Sequence, residues 1–155
     1  MLNQTKYSDD QILSITQSNQ NPVTISYISP TSNMMTAVPI WIKYFKEKFF
    51  MFTGKQSPKV KAIQAGNTNF GMIIINRTSF PVVVTENIPY ISMSGIVKIV
   101  TRDNYKDLPK IHIELLEKYN TPEQGPWLQN LIAKIKSDPD DVWMVEFTPE
   151  KIFLY

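Results

Sequence analysis

Apolar and polar residues alternate in short runs along this chain, which is the pattern of half-buried β-strands. The predicted strands are residues 23–29, 34–44, 49–53, 70–76, 81–85, 90–101, 142–148 and 151–155. The runs 70–76 and 81–85 are apolar at nearly every position, so both are predicted to be deeply buried. Pro39 and Gly95 interrupt two other runs, and each predicts a sheet edge or a bulge.

Apolar residues at helical spacing predict helices at residues 8–18, 57–65, 110–119 and 123–136, the third preceded by a helical stretch from Asp103 that Pro109 interrupts. In the last helix, Trp127, Leu131 and Ile135 follow one another at spacings of four, so this face is predicted to pack. The helices are scattered among the strands and do not alternate with them regularly. This order favours a mainly β protein, an antiparallel barrel, over a parallel doubly wound sheet.

Composition narrows the class of protein further. A chain of 155 residues with 43% hydrophobic residues is expected to form a single domain with a real core. Sixteen basic residues against fourteen acidic ones give a formal charge of +2, which is too little for the broad basic face of a general nucleic-acid binder. The chain has no cysteine, no signal-like start and no apolar run of the ~18 residues that span a bilayer. We therefore expect a cytoplasmic protein that is not membrane-bound.

The stretch 49–66, FFMFTGKQSPKVKAIQAG, is the candidate anion site. A β-type run ends at Thr53, and Ser57 and Pro58 then begin a helix that Gly66 ends. Lys55, Lys59 and Lys61 are predicted to converge near the helix N-terminus, where backbone N–H groups and the helix dipole favour a phosphate. The same residues are also compatible with an ordinary N-cap followed by a solvated face.

Other residues that often carry chemistry favour structural roles here. His112 is the only histidine, which rules out a multi-histidine metal site, and its place between Ile111 and Ile113 favours packing or a surface position. The acidic residues from Asp138 to Asp141 lack the glycine and closing glutamate of a calcium loop and indicate a solvated turn. Packing in a core or interface is the favoured role of three tryptophans, Trp41, Trp127 and Trp143. No metal site is predicted.

The order of these features resembles a known family. A strand with the sequence MTAVPIW, residues 35–41, is followed by a hairpin into residues 50–53, then by Ser57, Lys59 and a helix, and finally by the Gly95 strand. This order is similar to the FMN-binding split barrels of the pyridoxamine 5′-phosphate oxidase family, over the chain from about residue 9 onwards. The resemblance implies a six-stranded antiparallel split β-barrel with short flanking helices. It also implies a homodimer that holds FMN in clefts at the subunit interface.

The family's cofactor contacts carry over to this chain by position. The resemblance places Thr36, Ala37, Val38 and Pro39 beside the isoalloxazine ring, with their backbone groups facing its polar edge. It places Phe52 and Thr53 at the ribityl and phosphate region, and Ser57 and Lys59 on the phosphate. Lys55 and Lys61 are further phosphate candidates. Pro58 stands where the oxidase branch has an arginine, and the final strands contain neither arginine nor histidine, so pyridoxamine phosphate is not the expected substrate.

The resemblance implies an FMN-dependent oxidoreductase that acts on a small molecule, with a nicotinamide cofactor as a candidate donor. No catalytic residue is assigned, because the isoalloxazine ring itself accepts and donates hydride or electrons. Two alternatives remain open at this point. One is a flavin carrier or sensor that does not turn its cofactor over, and the other is a deazaflavin-dependent reductase.

Overall fold

In a computed structural model, the described part of the chain comprises residues 22–75, 90–119 and 125–154, together with Asp10, Ile12, Leu13 and Thr16. It contains one sheet of seven strands: β1 (Val23–Ile28), β2 (Met35–Ile40), β3 (Ile42–Phe45), β4 (Lys48–Met51), β5 (Asn69–Ile75), β6 (Tyr90–Thr101) and β7 (Trp143–Leu154). Their order is β2-β1-β5-β6-β7-β4-β3, and every pairing is antiparallel. The predicted mainly β, antiparallel split-barrel class is confirmed. The predicted strand 81–85 lies outside the described residues.

Trp41 explains why the described sheet has seven strands and not six. The sequence predicted one strand over residues 34–44, but the structure divides it at Trp41 into β2, which pairs with β1, and β3, which pairs with β4. These two strands are the opposite edges of the sheet. A single residue therefore joins the two edges, and the sheet must curl into a split barrel for this connection to close. Pro39 lies in edge strand β2, as predicted.

Two hydrophobic clusters lie on opposite faces of the sheet. The first fills the barrel and includes Ile25, Phe49, Met72 and Phe147. Helix α1 (Pro58–Gln64) adds its buried Val60 and Ala62 to that core. The second cluster lies between the outer side of the sheet and a helix pair, α2 (Leu108–Lys118) and α3 (Gly125–Ser137). Its members from the sheet include Phe50 and Met144, so the helices cover the outer side of β4 and β7.

The outer side of β1, β2, β5 and the N-terminal part of β6 is not covered by these helices, which reach β6 only at Val100. The prediction that residues 70–76 are buried on both faces is wrong, because Ile73 and Ile75 remain 41% and 42% exposed while Phe70, Met72 and Ile74 are buried. Outward positions on β1, β2, β5 and the part of β6 up to Ile96 alternate with the core positions: Thr24, Ser26, Ile28, Met35, Ala37, Pro39, Asn69, Gly71, Ile73, Ile75, Tyr90, Ser92, Ser94 and Ile96. We call these residues the uncharged face, since none of them carries a charge. The next outward position of β6 is the charged Lys98, which lies beside Glu146.

The two longest strands, β6 and β7, pair from Ile91 to Thr101 along nearly their whole length. The sequence predicted separate strands at 142–148 and 151–155, but the structure has one strand, because the register shifts at Ser94/Gly95 and lets pairing continue past Pro149. The close approach of another backbone segment that was predicted at Gly95 is confirmed, and that segment is β7 at Thr148. A Cβ at residue 95 would overlap the Thr148 carbonyl oxygen.

Two helix predictions need correction. Pro109 does not interrupt a helix, because α2 begins at Leu108 and the proline lies in its first turn, where a missing N–H leaves no hydrogen bond unmade. The packed face of α3 consists of Leu128, Ile132 and Ile135, each at most 5% exposed, whereas Trp127 is 52% exposed. Of the residues predicted from a spacing of four, Trp127 and Leu131 each lie one position before a residue that is actually buried, and only Ile135 is correct.

Candidate functional site

A cavity of about 240 Å³ lies where the end of β2 meets the coil after β4 and the start of α1. The described residues that line it are Pro22, Pro39, Ile40, Trp41, Phe52 and Lys59. Three of them, Pro39, Phe52 and Lys59, are residues that the resemblance assigned to one cofactor site although they come from three separate segments. We call this cavity the Lys59 cavity.

The coil that leads to the cavity is fixed at both ends. Thr53 is buried, at 8% exposure, directly after β4. Ser57 is the N-cap of α1, as predicted, and its hydroxyl accepts a hydrogen bond from the Val60 N–H at 3.4 Å. Gly66 follows the helix with a positive φ of 90°, which completes the predicted C-terminal cap. Short, capped connections of this kind hold Lys59 in place at the cavity wall.

Lys59 is the one charged side chain among the described residues that line the cavity. Burial lowers the pKa of its ammonium group from the ordinary value. No hydrogen bond or ion pair of Lys59 is found within the described parts of the chain. A partly desolvated cation without a counter-ion is stabilised by an anion that enters the cavity. The donor set therefore fits the phosphate of the cofactor that the resemblance implies.

The predicted convergence of three lysines is not observed. Lys55 forms an ion pair with Asp141 at 3.6 Å and lies over the Trp143 ring, so it lines other cavities. Lys61 is exposed on α1 and is absent from the described residues that line the Lys59 cavity. Successive side chains on a helix point in directions about 100° apart, and residues 59 and 61 therefore face different sides.

The other predicted cofactor residues lie on β2, where successive side chains point to opposite faces of the sheet. Thr36 and Val38 are half-buried on the barrel side, where Val38 packs against the core, while Ala37 and Pro39 are exposed on the outer side. Within the described residues, β2 pairs only with β1. Its other side presents backbone N–H and C=O groups that have no partner strand in the described part of the chain. That is the kind of edge that the resemblance assigned to the polar rim of a flavin ring.

An aromatic stack supports the wall of the cavity at Trp41. The rings of Trp41 and Tyr119 lie 5.1 Å apart and 3° from parallel, and Lys118 lies over the Tyr119 ring. Burial, and secondarily the nearby charge of Lys43, lower the pKa of Lys118 to about 8. The Lys118 ammonium donates to the Ile42 carbonyl at 3.4 Å. No local pattern in the sequence indicates this arrangement, because residues 41 and 119 are far apart in the chain.

A buried acid on β7 was also missed. Glu146 is 1% exposed, and its carboxylate accepts hydrogen bonds from Lys48 at 3.2 Å and from the Tyr105 hydroxyl. Lys98 lies 3.7 Å away. A buried charge that is paired in this way is typical of a structural network, and it ties β4 and the β6–β7 pair together.

A second cavity, of about 260 Å³, lies between α2, the C-terminal end of α3 and the start of β7. His112 lines it, together with Phe52, Lys55, Leu131, Lys134, Ile135, Asp138, Asp141, Val142 and Trp143. We call it the His112 cavity. It shares Phe52 with the Lys59 cavity, so this one side chain lines both cavities. Asp138 and Asp141 of the predicted acidic turn belong to this lining, while Asp140 pairs with Arg102 at 2.7 Å.

None of the helices in the described residues is long and apolar enough to cross a bilayer. Those residues also contain no group of three or more acidic or histidine side chains placed to hold a metal ion.

Comparison with known proteins identifies the fold. No family profile and no curated protein matches the sequence. The structure is similar to the conserved hypothetical protein Rv2991 from Mycobacterium tuberculosis, with a TM-score of 0.67 and 13% identity over 99% of this chain and 87% of that one. A putative pyridoxamine 5′-phosphate oxidase from Listeria innocua gives a TM-score of 0.61 and 14% identity over 94% and 95% of the two chains. An F420 reductase gives a TM-score of 0.60 and 15% identity over 96% and 98%.

Proposed function

We propose that this chain, which has the split-barrel fold of pyridoxamine 5′-phosphate oxidase-like proteins, binds FMN and acts as a flavin-dependent oxidoreductase on a small molecule. The observation that carries the proposal is Lys59, a partly desolvated cation without an ion-pair partner among the described residues, in one cavity with Pro39 and Phe52. This is the arrangement expected where an anionic cofactor supplies the missing counter-ion.

Each wall of the Lys59 cavity has a role in this proposal. Lys59 binds the phosphate from the cavity wall, and the hydroxyl of Ser57, the N-cap of the same helix, adds a second donor. Lys55 contributes less because it is paired with Asp141, and Lys61 contributes less because it faces another side of α1. Phe52 and Thr53 contact the ribityl chain. A cavity of about 240 Å³ is smaller than the ~300–1,000 Å³ of typical ligand pockets, so it holds one end of FMN. The ring lies along the free edge of β2.

The bound flavin supplies the electron or hydride transfer, and the chain's own residues bind and orient it. Backbone groups of residues 36–39 hold the polar rim of the ring, and the aromatic pair of Trp41 and Tyr119 keeps that end of the cavity rigid. The fold alone does not determine the substrate. The proposal includes a cytoplasmic homodimer that completes each cleft with residues of the second subunit, which the uncharged face supports.

The first experiment is an FMN titration of the purified protein, followed by absorbance spectroscopy and calorimetry. We expect a shifted flavin spectrum and a raised melting temperature. Lys59→Ala should weaken FMN binding by about 1–3 kcal/mol, roughly five- to 150-fold, because a charge-assisted hydrogen bond is lost. Lys61→Ala, two residues further along the same helix, is the matched control and should change the affinity much less. Unchanged FMN affinity in Lys59→Ala would remove Lys59 from the site.

Turnover separates the oxidoreductase from a flavin carrier or sensor. Anaerobic mixing of the FMN complex with NADH or NADPH should bleach the flavin absorbance, and readmitted oxygen should restore it. If FMN binds but neither donor reduces it at a useful rate, the carrier or sensor interpretation holds. Direct competition between FMN and deazaflavin F420 distinguishes the third interpretation, since a deazaflavin-dependent reductase would prefer F420.

A further inference from the structure

The His112 cavity contains a buried polar side chain with unmet hydrogen-bonding capacity. His112 is 4% exposed, and neither ring nitrogen has a hydrogen-bond partner among the described residues. Leaving such a group buried and unpaired costs about 1–3 kcal/mol, and for this reason an orphaned side chain in a native structure calls for an explanation. Its position on the wall of a cavity offers one, since a ligand there can supply the missing partner.

The protonation state of His112 defines the kind of group it would recognise. Burial lowers the pKa of the imidazole to about 4, so the ring is neutral at pH 7. A neutral imidazole offers one N–H donor and one nitrogen acceptor. A carboxamide carries both a donor and an acceptor, and it can pair with whichever ring nitrogen it reaches. A carboxylate can only accept a hydrogen bond from the imidazole N–H, and an ammonium or amidinium can only donate one to the unprotonated ring nitrogen.

The charges at the cavity favour a ligand without net charge. Two lysines, Lys55 and Lys134, are balanced by Asp138 and Asp141, and one of each already forms a pair at 3.6 Å. With two charges of each sign, the cavity has no net preference for an anion or a cation. A charged ligand would lose its hydration without gaining a dedicated counter-ion.

The size and the walls of the cavity favour a single aromatic ring. An engineered apolar cavity of about 150 Å³ binds benzene, and a cavity of about 260 Å³ holds one ring with a polar substituent. Phe52 and Trp143 provide aromatic surfaces, and Leu131, Ile135 and Val142 provide aliphatic ones. The Phe52 ring covers the imidazole, at a centroid distance of 4.7 Å. Both imidazole nitrogens are buried in this structure, so a ligand reaches them only after a neighbouring side chain moves, and the half-buried Phe52 ring that covers the imidazole is the candidate.

We propose that the His112 cavity is a second small-molecule site, which binds an uncharged single-ring aromatic amide with its amide group on His112 and its ring between Phe52 and Trp143. The site is separate from the Lys59 cavity and touches it only through Phe52. The proposal does not depend on flavin binding, and it is tested without added flavin.

The test compares benzamide with benzoate and benzamidine, which have nearly the same shape but carry no charge, a negative charge and a positive charge. Because the chain has one histidine, the imidazole Cε1–H proton gives a single NMR signal that reports on this cavity. We expect benzamide to shift that signal saturably at pH 7, with a dissociation constant of roughly millimolar or tighter for so small a ligand. Benzoate and benzamidine should bind about tenfold more weakly or worse.

Two variants locate the binding. Leu131→Trp fills the cavity from α3 while leaving the histidine signal in place, and it should abolish the benzamide shift. His112→Phe should weaken benzamide binding about tenfold by calorimetry, since one hydrogen bond is lost. Gln129→Trp, on the exposed side of the same helix, is the matched control and should bind benzamide normally. An unsaturable or absent shift, equal binding of a charged analogue, or full binding by Leu131→Trp would each overturn the proposal.

Discussion

At the scale of single residues, His112 shows how burial changes the chemistry of a side chain. The sequence favoured a packing or surface role for the only histidine, and the structure buries it on α2 against Phe52. Its surroundings contain no acid that pairs with it among the described residues, and desolvation alone lowers its pKa to about 4. The folded protein therefore holds the neutral form across the range in which an exposed histidine would become charged.

This difference predicts how stability depends on pH. The folded pKa of about 4 lies below the unfolded value of 6.5, so the unfolded chain binds the additional proton between those values. The contribution of His112 to the free energy of unfolding is fully present above pH 6.5. It decreases as the pH falls from 6.5 towards 4 and does not change further below pH 4. The expected loss is about 3 kcal/mol over this window. Urea denaturation at several pH values measures it.

A variant without the imidazole isolates this effect from every other pH-dependent contribution to stability. His112→Phe retains all other titratable groups. Between pH 6.5 and 4, its free energy of unfolding should therefore fall by ~3 kcal/mol less than that of the wild type. The NMR signal of the wild-type imidazole should titrate with a pKa of about 4. Parallel stability profiles for the two proteins, or a titration near 6.5, would show that the ring is not buried as described.

At the scale of single elements, the β6–β7 pair depends on Gly95. A Cβ at this position would overlap the Thr148 carbonyl and press against the Phe147 ring, which is itself fully buried. Gly95→Ala is therefore expected to destabilise the protein by about 1–3 kcal/mol, the usual effect of overpacking a core. Gly54→Ala is the matched control, because a Cβ added at residue 54 would meet no other atom within 4 Å.

Denaturant midpoints of the two alanine variants and the wild type test the role of this bulge. Gly54→Ala should have a midpoint close to that of the wild type, while Gly95→Ala should unfold at lower urea with a similar slope. Equal midpoints for all three proteins would mean that β6 and β7 can separate at the bulge without loss of stability.

The sequence predicted the elements whose signals are local. Alternation located the described strands, and Ser57 and Gly66 correctly bounded α1, because capping depends on residues within one turn. The break at Trp41 was missed, since a strand that changes partners keeps the same alternation. The continuation of β7 past Pro149 was missed for a related reason, because it depends on a register shift opposite Gly95, a residue on a distant strand.

The candidate site was also predicted only in part. The resemblance to the split-barrel family implied one site for Pro39, Phe52 and Lys59, and the fold brings them to one cavity. The sequence could not separate Lys59 from its neighbour Lys55, because the ion-pair partner of Lys55 lies on a distant turn. The His112 cavity had no signal in the sequence, since its walls come from segments on α2, α3 and β7 that only the fold assembles.

At the scale of the whole molecule, charge is unevenly distributed over the surface. The helix pair α2 and α3 covers the outer side of β4 and β7, while the uncharged face leaves Met35, Ile73, Ile75 and Ile96 exposed. The chain has thirty charged residues, and none occupies these outward positions. Exposed apolar residues on a broad surface without charges are typical of a protein interface. The free edge of β2 borders this face, which would bring a second subunit beside the Lys59 cavity.

Ile73→Lys tests whether two copies pair through the uncharged face. Residue 73 lies in the middle of this face on β5, next to Thr24 and Ser92, so a lysine there would be buried in the interface without a partner. We expect the dimer to weaken by about 3 kcal/mol or more, roughly a hundredfold, while the circular dichroism spectrum stays unchanged. Sedimentation velocity over a range of protein concentrations measures the effect.

Asn130→Lys adds the same charge to the exposed side of α3 and should remain as dimeric as the wild type. FMN affinity gives a second readout, since a cleft completed by the second subunit should lose cofactor when Ile73→Lys separates the copies. Each outcome then has its own meaning. A wild-type monomer contradicts the homodimer itself. A dimer that survives Ile73→Lys places its interface elsewhere, and a monomeric Ile73→Lys that binds FMN as tightly as the wild type shows that one subunit forms the whole cleft.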